Sequence, residues 1–424
     1  MPPLTSEHDL AVARGQTPHV AGKVTLENMT HAFSNRFAFA LVLLGVLNAA
    51  CGPAAAPAST PAPPTALTTA PTQPPSAPTL PPPNATTPSP AGAGRVAPAG
   101  TTSRVVHVGL GNASASNAGI YVADGLGFFA EQGLEINYVD FGSASEVMPA
   151  LARGDLEIGD VGINPALFNA VARHVGIKLV ADKGSMPPGF GFTSFVAASS
   201  LADQIRSPSD LKGRKLAMTP PGLGTSNGFA LSKYLAQANL SPNEIDIVPI
   251  AFPEQIAALA NHSVDAAIMA EPFATRAVQN GVGMRVATLD KIDPYEQVAG
   301  LVYSDAFIAN HRDLGIAWMT AYVKGVRAYN AAFINGIDKE RIISILADKT
   351  DIKDTQLWGS IIPAGLNADG KLNDQSIADA AKYFQTVGLT PEVPTVSSYV
   401  DQSFTDAAVN NLGPAPTSVA THTP

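Results

Sequence analysis

Cysteine is almost missing from this chain: one residue, Cys51, in 424. A single cysteine rules out an internal disulfide. Its place ahead of the globular part also removes thiolate catalysis and cysteine-ligated metal from the fold. Histidine is sparse too. In the stretch 104–412 only His107, His174, His262 and His311 occur, widely separated and without metal-ligand spacing, so no metal and no cofactor are expected. Positive charge is short, with 26 Lys and Arg against 35 Asp and Glu and a net charge of −9. That balance leaves no electrostatic footprint for nucleic acid. The apolar run Phe37–Leu47 is well short of the ~20 residues needed to cross a bilayer. No G-x-x-x-x-G-K-[ST] phosphate loop is present.

What is there begins with targeting. Arg36, the run FAFALVLLGVL from Phe37 to Leu47, and the small residues before Cys51 have the order of a secretory signal. Cys51 directly behind it is read as the lipid-modified first residue of a palmitate-bearing lipoprotein, held at the extracytoplasmic face of the cell membrane. The usual box wants Leu three positions before the cysteine; here Asn48 holds that place and Leu47 lies one step further back. Met29 is read as the start of this logic. The division is therefore 1–50 extension and signal, then 51–103 linker. The linker is almost entirely Pro, Ala, Thr, Ser and Gly with no charge before Arg95, a composition that cannot offset its ordering entropy and predicts a disordered tether. A short disordered tail is expected at 413–424.

From Arg104 the composition becomes globular and long enough for two cores. Segments such as Val105–Leu110, Leu134–Asp140, Leu156–Val161 and Ile177–Ala181 read as strands. Helical stretches lie between them, including Asn117–Glu131, Ser145–Arg153 and Asn164–Arg173. The alternation resumes with Lys215–Met218, Ile245–Ile250, Val264–Met269 and Met284–Ala287, and the end is mostly helical, with Ile316–Phe333 the clearest piece. Alternating strands and helices predict an α/β fold with parallel sheets flanked by helices. Ligands of such folds gather at the carboxyl ends of strands, where helix N-termini offer free N–H groups.

Five strand-to-helix junctions share one chemistry: 111–117 (GNASASN), 142–145 (GSAS), 159–164 (GDVGIN), 220–227 (PPGLGTSN) and 270–272 (AEP). Glycine lets backbone approach a ligand; Ser, Thr and Asn cap helices and present donors. Any one of them is explained by capping alone, whereas five split between two halves point to a shared cleft.

The phrases Tyr121-Val-Ala-Asp-Gly-Leu-Gly-Phe-Phe129 with Gly133-Leu134-Glu135, Ala152-Arg-Gly-Asp-Leu-Glu-Ile-Gly159, Asp210-Leu-Lys-Gly213 and Val264-Asp-Ala-Ala-Ile-Met-Ala-Glu-Pro272 occur in an order and spacing that resemble one family. It is the solute-binding components of ABC importers, in the group with nitrate-, sulfonate- and taurine-binding and thiamine-pyrimidine-precursor proteins. His262, where the family often has Gly, departs from the pattern. The resemblance implies a two-lobe type II periplasmic-binding-protein fold, with lobe 1 at 104–197 plus 303–412 and lobe 2 at 198–302. Strands near Thr193–Ala197 and Gly300–Ser304 are expected to cross between the lobes. It also implies a monomer that hands its ligand to an ABC permease driven by a separate ATPase.

Within that group the junction loops contain Asp160 and Glu271 but no cation, and phenylalanines stand beside them. A flat heterocycle is therefore favoured, riboflavin first, with an aminopyrimidine or a sulfonate or nitrate as alternatives. Phe190, Phe192 and Phe273 are the candidate stacking residues, and Asn112, Asn164 and Asn227 the candidates for the ring edge. Ser116, Thr225 and Ser226 would contact a polar side chain, Glu271 would accept from hydroxyl or imide groups, and Asn117 and Ser143 complete the set. The competing class is a serine hydrolase, because Gly224-Thr225-Ser226-Asn227-Gly228 matches G-x-S-x-G with His311 downstream. The Pro220-Pro221-Gly222-Leu223 loop separates that serine from its strand, and no H-G-G-G segment precedes it, so no catalytic residue is assigned.

Overall fold

A computed structural model gives the structure of residues 104–417, apart from 112–113, 142–143 and 393–394. The signal, Cys51, the linker, Asn112, Ser143 and most of the expected tail lie outside the described residues.

The segment RVVHVGLG forms β1 (Arg104–Gly111), and LEINYVDF forms β2 (Leu134–Phe141). Next come β3 (Ile158–Gly162), β4 (Ile177–Ser185), β5 (Thr193–Ala198), β6 (Lys215–Met218) and β7 (Asp246–Pro249). The set closes with β8 (Ala266–Ala270), β9 (Gly283–Thr288) and β10 (Gln297–Ser304). They build two five-stranded sheets, in the orders β2-β1-β3-β10-β4 and β7-β6-β8-β5-β9. β1 runs parallel to β2 and β3, and β6 parallel to β7 and β8.

The sheets are not wholly parallel, as the alternation had suggested. β10 is antiparallel to β3 and β4, and β5 is antiparallel to β8 and β9. Each of these strands is the one that enters its sheet from the other, so it arrives from the cleft side and runs the opposite way. Both are buried along their whole length, as a strand covered on two faces must be.

The expected crossing strands therefore lie inside single sheets. The chain crosses instead at 186–192 and 289–296, which moves β5 to the second lobe and β10 to the first. The two crossings are tied together: Tyr295 N donates to the Met186 carbonyl at 2.8 Å, and Met186 N to the Glu296 carbonyl at 3.0 Å.

Helices cover the sheets. The helix read as Asn117–Glu131 is broken into Ala118–Gly125 and Phe128–Glu131, because Gly127 adopts a left-handed φ of 79°. The long helix Arg312–Asn335 buries Leu314, Trp318, Tyr322, Val326 and Tyr329 at i, i+3/i+4 spacing, and meets the first sheet through Trp318, whose ring lies 6.2 Å from that of Tyr303, and through the Tyr322 hydroxyl, which donates to the Asp182 carbonyl at 2.8 Å. It crosses the helix Ala118–Gly125 at Gly119 and Gly325, where a Cβ on Gly325 would collide with the Gly119 carbonyl and Ala123.

The C-terminal helices join the first lobe through bridges Ser185↔Gly365 and Leu179↔Val400. Helix Asp374–Thr386 also reaches the second lobe: the Tyr383 hydroxyl donates to the Gly228 carbonyl at 3.1 Å, and its ring lies 5.4 Å from that of Phe229. The start of the expected tail is docked, with Ala415 N donating to Asp369 at 2.9 Å and the Arg327 guanidinium to the Gly413 carbonyl at 2.7 Å. No helix among the described residues is long and apolar enough to cross a membrane.

Candidate functional site

The carboxyl ends of β1, β3, β4, β6 and β8 and the amino ends of β5 and β10 converge on one cavity of about 110 Å³ between the two sheets. The first lobe contributes Gly111, Ser116, Asp160, Asn164 and Lys183; the second contributes Phe192 and Thr193 at its edge, then Thr219, Thr225, Ser226, Asn227 and Phe252.

Its floor is ionic. Lys183 Nζ lies 2.9 Å from Asp160 Oδ1, both side chains being 3% exposed. Lys183 also donates to Ser116 Oγ at 3.1 Å, and Gly111 N donates to Asp160 Oδ2 at 3.3 Å. Burial pushes the Asp160 carboxyl above its ordinary range, with Lys183 and the Gly111 N–H pulling the other way. β4 was expected to end at Ala181. Its continuation to Ser185, paired with β10, is what carries Lys183 into the cleft.

Around this pair stand hydrogen-bonding groups on helix starts. Asn164 caps the helix Pro165–Ala172, its Oδ1 accepting from Ala166 N at 3.0 Å and Leu167 N at 3.3 Å, which leaves its amide N–H₂ to face the cavity. Across the cleft, Thr225 precedes the helix Ser226–Ala236 and donates its hydroxyl to the Gly222 carbonyl at 2.8 Å. Ser226 and Asn227 open that helix beside its free N–H groups. Asn227 is 6% exposed, and its side chain has no hydrogen-bond partner among the described residues. Ser116, Asn164, Phe192, Thr225, Ser226 and Asn227 are thus brought together.

Four other expected site residues lie elsewhere. Glu271 is fully buried and its carboxylate is already engaged, accepting from Thr275 N at 3.0 Å, Thr275 Oγ1 at 2.9 Å, Arg285 Nη2 at 2.8 Å and Ile362 N at 3.4 Å. Phe273 stacks behind Phe252 with centroids 5.7 Å apart, so Phe252 is the ring that reaches the cavity. Phe190 sits half-buried in the first crossing segment, away from the cavity lining. Asn117 borders a second cavity of about 260 Å³ with Tyr121, Asp140 and Asp351. That second space is walled by the first lobe alone, so lobe closure cannot grip a ligand in it.

The hydrolase geometry is not formed. A one-turn helix, Gly222–Gly224, separates Ser226 from β6, and among the described residues no hydrogen bond joins Ser226 to a histidine. Gly228 is explained by packing, since a Cβ there would collide with the Leu223 backbone. Among the described residues no three His, Cys, Asp or Glu side chains gather as a metal site.

Two lobes with a polar cleft at the strand ends define the type II periplasmic-binding-protein fold. Solved structures share it: the alkanesulfonate-binding protein from Xanthomonas axonopodis pv. citri bound to MOPS superposes with a TM-score of 0.58 at 20% identity, over 70% of this chain and 98% of that one. The profile of the NMT1/THI5 like family matches residues 114–332, and the chain belongs to that family.

Among curated proteins, a taurine-binding periplasmic protein of Escherichia coli is 27% identical over 176 residues, covering 40% of this chain and 49% of that protein. A putative aliphatic sulfonates-binding protein of the same organism is 29% identical over 152 residues, 36% of this chain and 44% of its own length. The chain spans about half the length of the curated relatives it matches.

Proposed function

We propose that this protein is the extracytoplasmic solute-binding component of an ABC importer, anchored through Cys51, and that its ligand is a small organic monoanion of the sulfonate class. The observation that carries this reading is the buried Lys183 facing the N-terminus of the helix Ser226–Ala236 across a small cleft. A cation and a helix start aimed at one space are a ready anion site. The names of the relatives, taurine- and aliphatic sulfonate-binding, favour the same class.

The riboflavin reading rested on the absence of a cation and on phenylalanines beside the junction loops. Lys183 supplies the cation; of the candidate stacking residues Phe190, Phe192 and Phe273 only Phe192 lines the cavity, with Phe252 beside it. A volume of about 110 Å³ is small beside the ~300–1,000 Å³ of pockets that hold drug-sized ligands, and a tricyclic ring with a ribityl chain is of that larger kind.

No chemical step is needed. Ligand bridges the two lobes, closure about the paired crossings 186–192 and 289–296 buries it, and the closed form docks on a permease whose partner hydrolyses ATP.

The test is a thermal-shift panel on the full chain with ethanesulfonate, nitrate, an aminopyrimidine and riboflavin. Saturable stabilisation by ethanesulfonate alone, or by ethanesulfonate and nitrate, is expected. Stabilisation by riboflavin or the aminopyrimidine without either anion would overturn the ligand assignment and leave the fold intact.

A further inference from the structure

Building on the anion-binding reading above, we propose that Asp160 sets the charge the cleft accepts, admitting one negative charge and rejecting two. Lys183 is the only Lys or Arg among the described residues that line the cavity, and it is already matched one for one by Asp160 at 2.9 Å. Two of the three Lys183 N–H bonds are committed, to Asp160 and to Ser116. One remains for a ligand.

The far wall offers neutral donors. Asn227 is unpartnered and nearly buried, and Ser226, Thr219 and the start of the helix Ser226–Ala236 flank it. These can solvate the oxygens of a single anionic group.

A second negative charge finds no second cation. Once the lobes close over it, it would sit beside the Asp160 carboxylate, where like charges a few ångströms apart repel strongly. A simple helper role, in which Asp160 only orients Lys183, gives a different pattern: removing the carboxylate's charge would then weaken every anion alike. The charge-limiting role predicts that the same change helps a dianion more than a monoanion.

The experiment is calorimetric titration of the full chain with ethanesulfonate and with sulfate at pH 7.5, for the wild type and Asp160→Asn. Asparagine keeps an oxygen for Lys183, and a melting curve checks that the variant is folded. In the wild type sulfate should bind about 100-fold more weakly than ethanesulfonate. In Asp160→Asn the gap should shrink to about 10-fold or less, through tighter binding of sulfate.

Should Asp160→Asn fail to fold, Asp160→Thr removes the same charge with a smaller neutral side chain that keeps an oxygen for Lys183. It should show the same narrowing of the gap, through tighter binding of sulfate. Equal binding of the two anions by the wild type overturns the charge limit while leaving the anion site standing, as does an unchanged gap in either variant. Binding of neither anion by the wild type or any folded variant overturns the functional reading and this inference together.

Discussion

Replacing Glu296 with glutamine should flatten the pH dependence of this protein's stability. Glu296 closes the second crossing between the lobes, just before β10, and is 1% exposed. Both of its carboxyl oxygens are buried and have no hydrogen-bond partner among the described residues. Burial raises its pKa well above the ordinary carboxylate value, Asp293 adds to the rise, and Lys233 partly opposes it.

In the unfolded chain the same group ionises near its usual ~4.3. Between that value and its folded pKa the native state therefore holds a proton that the unfolded state has lost. Stability contributed by this proton is fully present below the unfolded pKa and is lost as pH rises toward the folded one, at roughly 1.4 kcal/mol per pH unit. Glutamine is a neutral isostere of the protonated form and carries no such slope.

Denaturant unfolding of both proteins at pH 5.5 and 7.5 isolates the effect, because other titrating groups cancel in the difference. The variant should gain on the wild type between the two values, by about 1.4 kcal/mol for each pH unit over which only the native state holds the proton. Curves that stay parallel would refute the reasoning, since they would mean that Glu296 titrates alike in both states.

Two further substitutions separate packing from ligand contact. Gly325→Val forces a side chain into the crossing with Gly119 and Ala123, where backbone stands in the way, and should cost about 3 kcal/mol or more in unfolding experiments. Ligand affinity of the folded fraction should be unchanged. Glu271→Gln removes the charge paired with Arg285, which is 22% exposed, and should lower stability by about 2 kcal/mol without altering preference among sulfonates. Loss of binding at an unchanged melting temperature would return Glu271 to the ligand site.

The alternation of strands and helices was legible because period-two apolar runs and capping residues are local signals. The same locality exposed Ser116, Asn164, Thr225, Ser226 and Asn227, each at a helix start following a strand. Lys183 was not legible, because Ala181-Asp182-Lys183-Gly184 has the composition of a turn. It is a strand only because its neighbours are distant in sequence: Asp182 accepts from Gln297 Nε2 at 2.6 Å and Asn367 N at 2.6 Å, and burial pushes its pKa up to about 6. Glu271 misled for the converse reason. A carboxylate at a strand end looks available until Arg285 and Thr275, placed by tertiary structure, are seen to hold it. The antiparallel sense of β5 and β10 is likewise a property of the connections between lobes, which no local pattern encodes.

Lys183 meets an anion in the cleft if the proposed function holds. Calorimetric titration of the full chain with ethanesulfonate, for the wild type and for Lys183→Met, tests this most directly. One-to-one binding by the wild type, weakened at least about 100-fold in a folded Lys183→Met, is predicted. Equal affinity in the two proteins, or binding of riboflavin in place of the sulfonate, would contradict it.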